Sequence, residues 1–309
     1  MILCVNPNAA IDKTVIVSPF RLNEIHRPQA VKSLPGGKGC NVARALKRLG
    51  ETPVVTGWVG GFAGQFIERG LHAEGIQTAF VHTDFESRTC LSILDPEQHT
   101  VTELYEYGEA VPADAVEELL AQLRNTISDY DAVTLSGSLP VGVPVDFYRQ
   151  VITIAHAAGV PVMLDSSKDA LKAGAAAKPF LIKPNKDEFS SLAGTALASL
   201  ADYAAAAADL SQRLETIVVL SLGAGGAIGA RNQDVLHVHP PPVNATSAVG
   251  SGDSMLAGLA YGFTRGAAFE KALSYGVAAG TANTLVVGAG TFTLDDFERI
   301  RAHVTVTRC

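Results

Sequence analysis

Cysteine is scarce and scattered. Cys4, Cys40, Cys90 and Cys309 form no C-x-x-C and lie near no paired histidines. A disulfide framework and a zinc site are therefore disfavoured, and reduced thiols in a cytoplasm are expected. Positive charge is also short: Lys and Arg total 24 against 31 Asp and Glu, for a net charge of -7. With no basic stripe, neither nucleic acid nor an anionic membrane surface is an expected partner. No apolar stretch reaches membrane-spanning length without Gly, Pro or polar interruption. The opening Met1-Ile2-Leu3-Cys4-Val5-Asn6-Pro7 lacks a basic leader and reads as a first strand rather than a signal peptide. Charged residues make up only 18%, but hydrophobic ones reach 47%, which excludes general disorder and allows a large core.

What is present has an α/β rhythm. Short β-branched runs at 2–5, 53–59, 132–136, 160–165, 180–183 and 216–221 read as strands. Helical spacing occupies 41–49, 62–74, 113–127, 145–158 and 200–213, with two further helices at 251–264 and 269–285. Such alternation predicts a mainly parallel sheet with helices on both faces. Two segments, 12–34 and 88–107, break the rhythm. Thr89 to Leu94 and Thr100 to Tyr105 flank a turn at Asp95-Pro96-Glu97-Gln98 and predict a hairpin. These segments read either as one small projecting sheet or as ordinary surface hairpins.

The chemistry concentrates in glycine-rich turns before helices. Gly250-Ser251-Gly252-Asp253 leads into an apolar helix. Free amides at a helix start favour an anion, and Asp253 at the same end could take a proton from an acceptor hydroxyl. Taken alone, an Asp at a helix start is more usually a plain cap, so the motif needs company to count. Gly36-Gly37-Lys38-Gly39-Cys40-Asn41 also precedes a helix, but Gly39 follows the lysine, so it is not a Walker A loop. Lys183-Pro184-Asn185 with Glu188 offers groups for a magnesium triphosphate through water, or simply a capping box. Ser221-Leu222-Gly223-Ala224-Gly225-Gly226 follows a strand, and Ile228 denies it the Rossmann glycine fingerprint.

In this order and spacing, those motifs together with Ser136-Gly137-Ser138-Leu139-Pro140 make the chain resemble the PfkB (ribokinase-like) carbohydrate kinases over essentially its whole length. Asn6-Pro7-Asn8-Ala9-Ala10-Ile11-Asp12, the Gly-Gly-Lys-Gly loop and Ser87-Arg88-Thr89 are similar to the branch of 1-phosphofructokinase and tagatose-6-phosphate kinase. The resemblance implies a single ribokinase-like domain over 1–309. Its fold would be a three-layer αβα sandwich with a mainly parallel central sheet and a small β-sheet lid from 12–34 and 88–107. It implies ATP-dependent phosphorylation of fructose 1-phosphate or tagatose 6-phosphate to the bisphosphate, with Mg²⁺, in a cytoplasmic homodimer joined through the lid. Asp253 would be the base, and Gly250, Ser251 and Gly252 the anion hole. Asp12, Gly37 and Asn41 would hold sugar hydroxyls. Arg88, Lys38 and Arg27 would meet the sugar's own phosphate, near Ser138. Lys183, Asn185, Ser221, Gly223 and Gly226 would line the ATP site, with Asn283 near the adenine and Glu188 supporting Mg²⁺ through water. Competing readings are another sugar kinase of the family, 6-phosphofructokinase among them, or a non-catalytic sugar-phosphate sensor.

Overall fold

A computed structural model describes residues 1–194 and 197–309. In chain order its strands are β1 (Ile2–Asn6), β2 (Ala10–Ile16), β3 (Ala30–Gly36), β4 (Pro53–Gly60), β5 (Gln77–Thr78), β6 (Val81–Thr83), β7 (Arg88–Asp95), β8 (Thr100–Tyr105), β9 (Ala132–Ser136), β10 (Val162–Asp165), β11 (Leu181–Ile182), β12 (Ile217–Ser221), β13 (Ala227–Arg231), β14 (Asp234–His239) and β15 (Thr305–Arg308). The α-helices are α1 (Lys38–Arg48), α2 (Gly61–Ala73), α3 (Ala113–Thr126), α4 (Phe147–Ala157), α5 (Lys168–Ala175), α6 (Lys186–Ala193), α7 (Leu200–Leu214), α8 (Ser251–Thr264), α9 (Phe269–Asn283) and α10 (Leu294–Arg301).

The large sheet runs β15-β14-β13-β12-β11-β10-β9-β1-β4-β5, with β6 also paired to β4. Strands from β12 through β4 are parallel, and β13, β14 and β15 add an antiparallel edge. All five residues of β1 and of β9 are buried, as expected for strands covered on both faces. Alternation along β1 then splits its side chains between two cores. Ile2 and Cys4 join the cluster that includes residues of α1, α8 and α9. Leu3 and Val5 join the one that includes residues of α3, α4 and α7. The result is three layers, αβα, with a mainly parallel centre.

The second sheet is β3-β2-β7-β8. β2 pairs antiparallel with β3 and parallel with β7, and β7 pairs antiparallel with β8. The expected hairpin is thus β7–β8, and both irregular segments enter one small sheet. Helix boundaries read from the sequence hold to within about three residues. The antiparallel edge of β13, β14 and β15 is not among the strands that the sequence predicts.

Because β1 lies between β4 and β9, the chain reverses its direction of travel across the sheet at β1. A crevice opens at such a switch point beyond the carboxyl ends of the strands. Asn6, Ser136, Asp165, Lys183 and Ser221 stand at those ends.

Candidate active site

At the start of α8, Gly250 caps the helix in the left-handed region, at φ 78°. A Cβ there would stand 2.3 Å from that of Ala289, so only glycine fits. The first turn carries Ser251, Gly252 and Asp253; the Ser251 amide donates to Ala248 O at 3.2 Å, while those of Gly252 and Asp253 have no partner within the helix. Asp253 is 6% exposed. Asn41 on α1, 212 residues away in sequence, donates from Nδ2 to Asp253 Oδ2 at 2.9 Å. Burial pushes the Asp253 carboxyl up to about 6, against the opposing pull of Lys38, Asn41 and Lys183. That suits a group which must lose and regain a proton near neutrality.

A cation pair lies beside it. Lys183 Nζ is 3.0 Å from Asp165 Oδ2, and Lys38 Nζ is 3.5 Å from Asp165 Oδ1. Burial raises the Asp165 carboxyl, but the two lysines outweigh that and hold it below the ordinary carboxylate range. Asp165 in turn raises Lys38. Lys183 Nζ also lies 3.4 Å from where a Cβ on Gly252 would stand, so the glycine turn and the lysine face each other. Amides and two ammonium groups around one spot have the chemistry to hold a polyphosphate, and Lys38 stands here beside Lys183 and Asp165 rather than at Arg88, with which the resemblance had grouped it. The sequence reading missed Asp165; its one signal was a carboxylate at the end of a strand.

The 36–41 turn packs on Asn6, which was read only as part of the opening motif. Gly39 N donates to Asn6 Oδ1 at 3.1 Å, and Asn6 Nδ2 donates to Gly36 O at 3.2 Å. Gly37 has φ 95°, and a Cβ on it would press within 2.6 Å of Asn6 Oδ1. Asp12 on β2 stands against Gly36. Burial raises its carboxyl, and the Gly37 amide partly offsets this by donating to it. Asp12, Gly37, Asn41 and Asp253 are therefore brought to one turn.

Arg88 begins β7 and leads towards a cavity of about 580 Å³ between the two sheets, also lined by Asn8, Tyr105, Tyr107, Ser138 and Lys168. Its Nη1 donates to Glu106 O at 3.0 Å and Nη2 to Asn8 O at 3.4 Å, while Nε is buried without a partner. Asn8 Nδ2 donates to Ser138 Oγ at 3.2 Å. Lys168, also missed, holds φ 54° at the start of α5; that region is costly for a side chain and clusters at binding sites. Arg27 is exposed between β2 and β3 and lines neither this cavity nor the smaller one beside Trp58.

Asn185 and Glu188 form the expected capping box, each side chain bonded to the other's amide at 2.9 Å. Ser221 bridges to Asn185 and donates to Pro184 O at 3.4 Å. Gly223 has open space at its Cβ position, whereas a Cβ on Gly226 would meet Val238 O at 2.0 Å. Asn283 is fully buried, donating to Val249 O at 2.8 Å and accepting from Gly290 N at 2.7 Å, so it braces the Gly250 turn from behind. Among the described residues no group of three His, Cys, Asp or Glu could hold a metal ion, and no helix is long and apolar enough to cross a membrane.

A family model described as pfkB family carbohydrate kinase matches residues 6–296. Tagatose-6-phosphate kinase of Staphylococcus epidermidis is 33% identical over 99% of both chains. Phosphofructokinase-2 from Escherichia coli, solved in complex with fructose-6-phosphate, superposes with TM-score 0.90 at 30% identity over 98% of both chains. A protein from Thermotoga maritima described as a possible 1-phosphofructokinase gives TM-score 0.91 at 28% identity, covering 100% of this chain and 99% of its own.

Proposed function

The chain belongs to the pfkB family of carbohydrate kinases, and on that premise we propose that it transfers the γ-phosphoryl of ATP to a hydroxyl of fructose 1-phosphate or tagatose 6-phosphate. The observation that carries this reading is the buried Asp253 carboxylate, bonded to Asn41 beside the amide turn of Gly250 to Gly252.

Asn41 engages Oδ2, which leaves Oδ1 to accept the proton of the sugar hydroxyl. As the O–H bond breaks, that oxygen forms a bond to the γ-phosphorus. The bond to the bridging oxygen breaks, and its electron pair leaves with ADP. Lys183, Lys38 and the amides of the α8 turn meet the charge on the phosphoryl oxygens. The proton then passes from Asp253 to solvent. Asp12 and Gly37 hold the sugar hydroxyls. Asn185, Ser221, Gly223 and Gly226 hold the nucleotide, with Asn283 supporting the turn on that side.

Glu188 is half-buried and only its Oε2 is spent in the capping box. One spare carboxylate oxygen, with no cluster of three ligands, fits an Mg²⁺ that arrives on phosphates and keeps its waters. Such an ion would neutralise phosphate charge. The small sheet acts as a lid that excludes water from the transfer. Exposed Val31, Val101, Leu104 and Tyr105 on that sheet support a homodimer formed through it. The free cysteines are consistent with a cytoplasmic setting.

The choice of a phosphorylated sugar rests on Arg88 and Lys168 at the cavity. The fructose-6-phosphate bound by the Escherichia coli relative keeps 6-phosphofructokinase activity as a second reading. A coupled ADP-release assay over fructose, fructose 1-phosphate, fructose 6-phosphate and tagatose 6-phosphate decides. Fastest turnover, by kcat/KM, on fructose 1-phosphate or tagatose 6-phosphate is expected. Preference for free fructose would overturn the sugar-phosphate assignment, and preference for fructose 6-phosphate would favour the second reading.

A further inference from the structure

A buried cation that the mechanism leaves idle lies one helical turn beyond Asn41. Arg44 is 3% exposed on α1. Its Nε donates to Glu74 Oε2 at 2.6 Å, and Nη2 donates to Glu74 Oε1 at 3.1 Å and to Pro35 O at 2.7 Å. Nη1 donates to Asn41 Oδ1 at 3.2 Å and to Ala289 O at 3.1 Å. A guanidinium has five N–H bonds and no acceptor. All five have partners here, so Arg44 has nothing left for a ligand.

That saturation has a directional consequence. An amide side chain has one accepting end and one donating end. Arg44 can only donate, so the end of Asn41 facing it must be the oxygen. The nitrogen is then committed to Asp253, where an ionised carboxylate can only accept. The two remaining bonds reach backbone on both flanks. Pro35 immediately precedes the Gly36–Gly37 turn, and Ala289 is the residue that a Cβ on Gly250 would strike.

We propose that Arg44, clamped by Glu74, is a positioning residue that fixes the flip of Asn41 and so aims the Asp253 carboxylate at the acceptor hydroxyl. The inference deepens the reading of Asp253 as base and rests on it for its catalytic meaning, but the orientation itself can be tested without turnover. The charged groups facing Asp253 are Lys38 from α1, Asp165 from the end of β10 and Lys183 beyond β11. Those facing Arg44 are Glu74 and, more remotely, Asp12. Replacing Arg44 by lysine leaves all of them, and the positive charge, in place; lysine also only donates, but one ammonium drawn to Glu74 cannot reach Asn41 at the same time as the planar fork does.

The experiment follows the Asp253 carboxyl by NMR in protein labelled with ¹³C-aspartate, assigned by its loss in Asp253→Asn. In Arg44→Lys the midpoint should rise by about one pH unit, the size of a lost hydrogen bond to a charged group. kcat should fall about tenfold, with KM for ATP unchanged, because the nucleotide contacts are untouched. A folded Arg44→Lys protein whose Asp253 midpoint stays within about 0.2 units of wild type overturns the proposal. Should that variant not fold, Glu74→Gln decides on the same readout. It keeps an oxygen acceptor for Arg44 and should move the midpoint in the same direction by a smaller amount; no movement overturns the proposal. A shifted midpoint with unchanged kcat would uphold the positioning and instead defeat the assignment of Asp253 as base.

Discussion

The two sheets treat apolar surface in opposite ways. In the large sheet β9 is wholly buried, with Val133 and Leu135 in the core that includes residues of α3, α4 and α7. In the small sheet every residue of β8 is exposed, and Val101 and Leu104 are each more than half accessible. One sheet is completed by its own chain. The other leaves apolar side chains uncovered on both faces, Val31 and Leu104 on one and Val101 and Tyr105 on the opposite one. Chemistry that needs fixed geometry sits at the strand ends of the first, and recognition is assigned to the edge of the second.

The sharpest way to break that division is to remove the base from the rigid side. Asp253→Asn should lower kcat by about 10²- to 10⁴-fold in a steady-state assay. Wild-type kcat/KM should fall as pH drops through about 6, where the Asp253 carboxyl takes up its proton. The sign for stability is the reverse. A carboxyl raised by burial favours the folded state while protonated, and that contribution is lost as pH rises through about 6. At pH 7, therefore, Asp253→Asn should melt no lower than wild type. A loss of activity accompanied by a drop in melting temperature would mean that Asp253 serves the fold and not the proton transfer.

On the side of the small sheet the effects should be smaller and confined to the sugar. Arg88→Ala removes a guanidinium whose Nε has no partner in the protein. KM for the sugar phosphate should rise about 10- to 100-fold, as for a lost charge-assisted hydrogen bond, with KM for ATP unmoved. A rise in both constants would mean that the two sheets do not divide their labour. Leu104→Glu, on the exposed strand, should shift sedimentation from dimer to monomer and reduce turnover only a few-fold, because a buried unpaired charge disfavours the interface without touching the site. An unchanged sedimentation coefficient would remove this face from the dimer.

The sequence made the first sheet more legible than the edges of the molecule. The continuous apolar run of β1 and the helical spacing in α8 are local signals, and the strand and helix assignments there hold. β13 and β14 escape a sequence reading because Leu222 to Gly226 hides a tight return between them and β12, and β15 because four residues near the C-terminus carry too little pattern. Asp253, Asn41 and Lys183 were readable from motifs at helix starts. Asp165, Lys168 and Arg44 were not. Asp165 matters only once β10 and β11 lie side by side, and Lys168 only through a backbone angle. Arg44 matters through partners that lie near residues 35, 74 and 289 in sequence.

Asn6 illustrates a constraint on how such a site can vary through descent. Added side chains at Gly37, Gly39 and Gly57 would each come within 2.6 Å of Asn6 atoms, two of them touching its side chain and the third its carbonyl. Shortening Asn6 would relieve the clash at Gly37 but not those at Gly39 and Gly57, which involve its Cβ and backbone, and would discard the bonds that hold the turn. Neighbouring sequences in which any one of these positions changes alone are therefore poor stepping stones. The four should be inherited as a block, and drift in substrate preference must be sought elsewhere, at Tyr105, Tyr107 and Lys168, where the cavity wall has room to change one residue at a time.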